Sequence, residues 1–180
     1  MLEVEMKFPV SDPSPILAKL QTLGFHGEPA QLEVDRYYNA PDRDFAQTDE
    51  ALRIRQEGAN VKLTYKGPKQ GSAGKVRKEL ELGLESGTAA TMHQLLQALR
   101  YTPSIEVRKQ RIKYHHPKQR DVEIAWDEVE QLGTFVELEL QVPEGDQAEA
   151  LLVLQAMAQT LGLGPEERRS YLELLIIKSV

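Results

Sequence analysis

The chain opens on strict alternation. Leu2, Val4, Met6 and Phe8 are apolar, and Glu3, Glu5 and Lys7 between them are charged. Successive side chains of a strand point to opposite faces, so an apolar row and a row of two carboxylates and an ammonium lie back to back. The same period of two predicts strands over 2–8, 35–39, 51–56, 61–66, 76–84, 105–114, 121–127 and 135–142, most of them bounded by Gly, Pro, Asp or Asn. Gly58-Ala59-Asn60 reads as a hairpin turn, Gly67-Pro68 with Gly71-Ser72-Ala73-Gly74 as a flexible connection, and His116-Pro117-Lys118 as another turn. Helical spacing predicts four helices. The first runs over 13–23, capped by Ser11 or Asp12 and ended by Gly24. The second covers 89–99, with Leu95, Leu96 and Leu99 on one side. The third covers 147–161, capped by Asp146 and ended by Gly162. The fourth covers 165–177, with Pro165 in its first turn.

The polar faces carry the information. Strand by strand they present Glu3, Glu5 and Lys7; Arg53 and Arg55; Lys62, Thr64 and Lys66; Arg77, Glu79 and Glu81; Lys109, Arg111 and Lys113; Glu123 and Asp127; Glu137 and Glu139. The opposite faces are rich in Val, Leu and Ile and need a cover, which the four amphipathic helices can supply. The arrangement that satisfies both is α+β: a closed eight-stranded antiparallel barrel with helices packed outside and a charged, water-filled tunnel inside. The alternative is a half-exposed antiparallel sheet laced with cross-strand ion pairs. Nearly every polar-face position is ionisable, however, and the charges are segregated. Like charges about 4 Å apart repel by roughly 4 kcal/mol at an effective dielectric near 20. Stacked acids therefore call for a cation, and stacked bases for an anion.

Composition narrows the setting. A chain of 180 residues with 41% hydrophobic and 28% charged residues is that of one globular domain, spanning 1–180. A net charge of -6 argues against a nucleic-acid partner, so any anionic ligand is held by a local basic cluster. No apolar run reaches the roughly 20 residues of a membrane span. Strand-like sequence from residue 2 leaves no signal pattern, and with Cys at 0 there is neither disulfide nor thiolate chemistry. A cytoplasmic location fits. Clustered carboxylates without Cys choose a hard cation, Mg2+ or Mn2+, and a ring of Arg and Lys chooses a polyphosphate. Together they are the equipment for phosphoryl or nucleotidyl transfer.

An ordered set of motifs resembles the CYTH superfamily, the triphosphate tunnel metalloenzymes. It comprises Glu3-x-Glu5-x-Lys7, Asp35-Arg36-Tyr37-Tyr38, Leu52-Arg53-Ile54-Arg55, Lys66-Gly67-Pro68, Glu79-Leu80-Glu81, Lys109-Gln110-Arg111, the run from Asp127 to Glu137 and Ser170-Tyr171-Leu172-Glu173-Leu174-Leu175. The last three look most like the class IV adenylate cyclase branch. The resemblance implies the eight-stranded tunnel and a triphosphate-bearing small molecule as substrate (ATP, or inorganic or thiamine triphosphate). It implies Glu3, Glu5, Asp127 and Glu137 on the metal side, and Arg53, Lys66, Lys109 and Arg111 on the phosphates. Lys7 would orient substrate or a general base, making Lys7, Glu5 and Asp127 the catalytic candidates. Arg55 and Lys62 join the phosphate set, and Glu139 the metal set, by strand parity. A homodimer is implied as well.

The branch resemblance points to cyclisation of ATP to cyclic AMP and pyrophosphate. Hydrolysis of a triphosphate at its terminal phosphorus uses the same tunnel, and a non-catalytic polyphosphate-binding module would need only the basic ring. Other conspicuous residues read as structural: His115 and His116 at a turn, Trp126 under a helix, Met92 and Met157 as core filler, Tyr37 and Tyr38 as packing, and Ser170 as a helix contact.

Overall fold

The computed structural model describes residues 2–69, 75–117 and 119–178. The connection expected at Gly71–Gly74 and the Lys118 part of the second turn lie outside them. In chain order the elements are β1 (Leu2–Val10), α1 (Ser14–Thr22), β2 (His26–Gly27), β3 (Gln31–Asn39), α2 (Phe45–Thr48), β4 (Ala51–Glu57), β5 (Asn60–Lys66), β6 (Lys75–Arg77), β7 (Glu79–Leu84), α3 (Ala89–Ala98), β8 (Thr102–His116), β9 (Gln119–Val129), β10 (Gly133–Val142), α4 (Gln147–Leu161) and α5 (Tyr171–Lys178). All eight predicted strand segments form, the one over 76–84 as two strands, β6 and β7. The short β2 and α2 carry too few residues to show a period.

The strands pair antiparallel in the order β6-β1-β10-β9-β8-β3-β4-β5-β7, and β2 adds to β8. The two ends of that path are neighbours in sequence. The segment read as one strand over 76–84 is broken at Lys78: Arg77 pairs with Glu3 of β1, and Glu79 pairs with Lys66 of β5. Lys78 turns its backbone carbonyl to the Gly67 N–H at 2.9 Å instead of a ladder partner. The sheet curls strongly until its edges meet at this segment, but no ladder joins β1 to β5 directly. "Closed" therefore slightly overstates the barrel, while its eight principal strands and outer helices stand as predicted.

The apolar faces point outward, under helices. Val4, Met6 and Phe8 of β1, Ile124 and Trp126 of β9, and Val136, Leu138 and Leu140 of β10 form one core with Ile16 and Leu20 of α1 and Leu154, Ala158 and Leu161 of α4. Asp12 Oδ1 accepts from Ser14 N at 3.0 Å at the start of α1. Gly162, at φ 72°, ends α4 in a left-handed conformation that glycine adopts without steric cost. Asp146 makes no side-chain cap there, contrary to expectation. A second outer core places Leu52, Ile54 and Val61 under Phe45 of α2 and Leu96 of α3. The predicted leucine face of α3 is split. Leu96 is buried with Met92 beside it, whereas Leu95 and Leu99 are exposed, because the helix lies on β4 through Ala89, Met92 and Leu96.

The last helix does something different. Tyr171 and Leu175 of α5 pack against Tyr37, Val107, Val129 and Phe135. By strand parity these four share the inward face with Asp35, Lys109, Asp127 and Glu137. One end of the barrel interior is therefore filled by an apolar plug. The helix starts at Tyr171, not at Pro165, because Ser170 and Glu173 form a capping box: Glu173 N donates to Ser170 Oγ at 3.1 Å, and Ser170 N donates to Glu173 Oε2 at 2.6 Å.

Candidate functional site

The inward faces enclose a cavity of about 550 Å3 lined from floor to rim by ionisable groups. Register explains how they meet. Across β9, β10 and β1, Glu123, Glu139 and Glu5 stand directly opposite one another in one row. The next row places Glu137 beside Lys7. On the other wall Asp35, Arg55 and Lys62 form one row, and Tyr37, Arg53, Thr64 and Glu81 another. Exposure falls from rim to floor. The ion pairs Lys62–Glu81 (2.8 Å) and Lys113–Glu123 (3.1 Å) have side chains 33–42% exposed, whereas Lys7 beside α5 is 0% exposed.

The basic side chains are held from behind by carboxylates. Asp35 takes Arg53 at 3.0 Å and Arg55 at 2.6 Å; Glu33 takes Arg55 at 3.1 Å and Lys109 at 3.2 Å. Asp127 accepts from Lys109 Nζ at 2.9 Å, Arg111 Nε at 2.6 Å and Tyr171 Oη at 2.9 Å, and Arg111 also reaches Glu137. Lys66 bridges Glu3 at 2.9 Å and Glu79 at 2.6 Å. Burial alone would raise the carboxyl of Glu33, but Lys109, Arg111 and Arg55 outweigh it and hold it at about 2. Asp35 is likewise buried and pulled lower still by Arg53 and Arg55. These are ion pairs with multiple hydrogen bonds, the arrangement in which buried charges are tolerated.

The acidic wall behaves oppositely. Burial, then the charges of Glu3 and Glu5, lift the Glu139 carboxyl to about 8. Glu3 is raised as well, by burial against the pull of Lys66. Crowded carboxylates that resist ionisation are what a hard divalent cation would relieve, and all the donors are oxygen. Among the described residues, no three acidic or imidazole groups already form a ready cage. An all-oxygen donor set of this kind fits a hard divalent cation.

Glu3, Glu5, Lys7, Arg53, Arg55, Lys62, Lys66, Lys109, Arg111, Glu137 and Glu139 all line this cavity. Asp127 is at 0% exposure, and its carboxylate is occupied by two basic side chains and a phenol. It stands behind the lining. Glu33 lies outside the predicted strand, which begins two residues after it, although Glu33, Asp35 and Tyr37 share one parity along β3. Tyr171 also reaches the lining, from a helix where strand parity is silent. Tyr37 lies on the cavity side and Tyr38 in an outer core, while Trp126 is core as expected.

Among the described residues, no helix is long and apolar enough to cross a membrane. The family model for the CYTH domain matches residues 1–171. A Methanocaldococcus jannaschii protein named as a putative adenylate cyclase is 37% identical over 177 residues, which cover 97% of this chain and 98% of that protein. A solved structure of a Pyrococcus horikoshii OT3 protein superposes with a TM-score of 0.88 at 39% identity, covering 98% of this chain and 99% of the other. A Vibrio parahaemolyticus structure, also named as a putative adenylate cyclase, shares the fold with a TM-score of 0.80 at 21% identity, over 98% of both chains. With its inward-facing charges, outer helices and a family match over nearly its whole length, the chain belongs to the CYTH family.

Proposed function

We propose that this chain is a metal-dependent enzyme that processes a triphosphate inside the cavity, with cyclisation of ATP to cyclic AMP and pyrophosphate as its leading reaction. The observation that carries the proposal is the charged lining: carboxylates crowded on β1 and β10 share one cavity with Arg53, Arg55 and Lys62 of β4 and β5. The 37% identical relative across the whole chain favours the cyclase.

Glu3, Glu5 and Glu139, with Glu137 beside them, would hold Mg2+ or Mn2+. When bound, the ion supplies charge neutralisation at the phosphate oxygens. Arg53, Arg55, Lys66, Lys109 and Arg111 bind the β- and γ-phosphates, with Lys62 at the rim guiding entry. Their carboxylate backing fixes these cations in place, so little reorganisation is needed when charge moves onto the leaving group. Lys7, beside Glu137 and over the Tyr171 ring, would orient substrate or a general base. Asp127 acts through Lys109 and Arg111, holding both without touching substrate. In the cyclase the ribose 3′-hydroxyl gives up its proton to water as its oxygen bonds to the α-phosphorus and the α–β bridging oxygen departs with pyrophosphate.

A second reading is hydrolysis of a triphosphate by water. It is favoured by the lining itself, which is ionisable almost throughout, with its aromatic members Tyr37 and Tyr171 packed in the plug. Such a cavity recognises the polyphosphate more than a base. Incubation with ATP or inorganic triphosphate plus Mg2+ or Mn2+ separates the readings. Cyclic AMP with pyrophosphate supports the first and orthophosphate the second. Unaltered substrate that is nevertheless bound would leave only a binding module.

A further inference from the structure

We propose that Tyr171 is a positioning residue of the cavity: its ring face places the ammonium of Lys7, and its hydroxyl places the carboxylate of Asp127. The inference rests on the triphosphate reading of the site.

Tyr171 begins α5, and that turn is fixed from two directions. The capping box joins Ser170 and Glu173, and Lys69 Nζ reaches the same Glu173 carboxylate at 3.0 Å. The ring is seated edge-on against Phe135, with centroids 5.1 Å apart at 66°. Above its face stands Lys7 Nζ, 3.9 Å from the centroid, with Lys109 Nζ at 5.3 Å. An ammonium over an aromatic face is held by the ring quadrupole, more strongly where water is excluded. The hydroxyl donates to Asp127 Oδ2 at 2.9 Å, the same oxygen that accepts Lys109 Nζ at 2.9 Å and Arg111 Nη2 at 2.5 Å. One side chain thus touches Lys7 directly, and Lys109 and Arg111 through one carboxylate. Burial, then the charges of Glu137 and Asp127, push the phenol well above its ordinary range, so it remains a donor at any working pH.

A purely structural tyrosine would contribute only to the apolar plug, and Leu175, which packs in the same cluster, provides the comparison. Tyr171→Phe keeps the ring and loses the hydroxyl; Tyr171→Leu loses both while staying apolar; Leu175→Ala loosens the plug while keeping the Tyr171 ring and hydroxyl. Binding of inorganic triphosphate in the presence of Mg2+ is measured by calorimetry, with thermal unfolding as the control for folding. The expected loss is about threefold for Tyr171→Phe and about thirtyfold for Tyr171→Leu, with Leu175→Ala close to wild type in affinity though lower in melting temperature. Tyr171→Leu binding as tightly as Tyr171→Phe, or Leu175→Ala matching the loss of Tyr171→Leu, overturns the proposal. Should Tyr171→Leu not fold, Tyr171→Phe binding no more weakly than Leu175→Ala overturns it equally. Wild-type protein that takes up no triphosphate would instead bring down the reading of the cavity, and this inference with it.

Discussion

Glu139 and Glu33 sit on the same kind of surface and titrate in opposite directions. Glu139 holds its proton to about pH 8 when folded, against an ordinary 4.5. Between those values the folded chain carries a proton that the unfolded chain has released, so this group lowers stability as pH rises. Glu139→Gln should therefore melt higher than wild type in metal-free buffer at about pH 8, and the advantage should vanish near pH 4. A constant difference across that range would mean that Glu139 is not crowded. Glu33, held down at about 2, contributes stability that is complete above 4.5 and lost as pH falls toward 2. Glu5 stands in the same row as Glu139, and on the proposed reading its charge acts in the transition state. Glu5→Gln should lower turnover by roughly 10²-fold with little change in melting temperature, and turnover at the wild-type rate would remove Glu5 from the site. Arg111 is a harder test, because it is also an ion-pair partner of Asp127. Arg111→Ala should cost about 3 kcal/mol in urea unfolding as well as affinity, since a buried carboxylate loses its bidentate donor. Unchanged stability would show that Lys109 and Tyr171 satisfy Asp127 alone.

At the scale of elements, the period of two was legible wherever a strand has one apolar and one charged face. It gave the inward set on β1, β4, β5, β8, β9 and β10 without reference to any neighbour. It could not show that the segment 76–84 changes partners at Lys78, because parity is the same on both sides of the break. Nor could it show that α3 turns Leu95 and Leu99 to solvent, since that rotation depends on where β4 offers Leu52 and Ile54. The inside-out arrangement makes a separable prediction. Leu154 of α4 is buried at 0% exposure in the outer core, remote from the charged face. Leu154→Ala should lower stability by about 3 kcal/mol and leave triphosphate affinity unchanged in the folded fraction, with urea unfolding and calorimetry as the two readouts. A parallel loss of affinity would mean that the outer core and the cavity are coupled.

The whole molecule joins two interiors of opposite character. Apolar layers lie between sheet and helices, and charge fills the curl of the sheet except where α5 enters. The sequence alternation made the first two layers readable. The plug was not readable, because Val107, Val129 and Phe135 occupy inward positions that elsewhere are charged, and only the position of α5 explains the change. The distribution of cations was legible as a list of basic residues but not as a structure, since Glu33, Asp35 and Asp127 hold them from behind. The decisive measurement is a crystal structure of the protein with a non-hydrolysable ATP analogue and Mn2+, with the metal located by its anomalous signal. The account predicts the phosphates inside the cavity on Arg53, Lys109 and Arg111, and Mn2+ against Glu3, Glu5 and Glu139. An analogue bound on the outer surface, or Mn2+ seated away from those carboxylates, would contradict it.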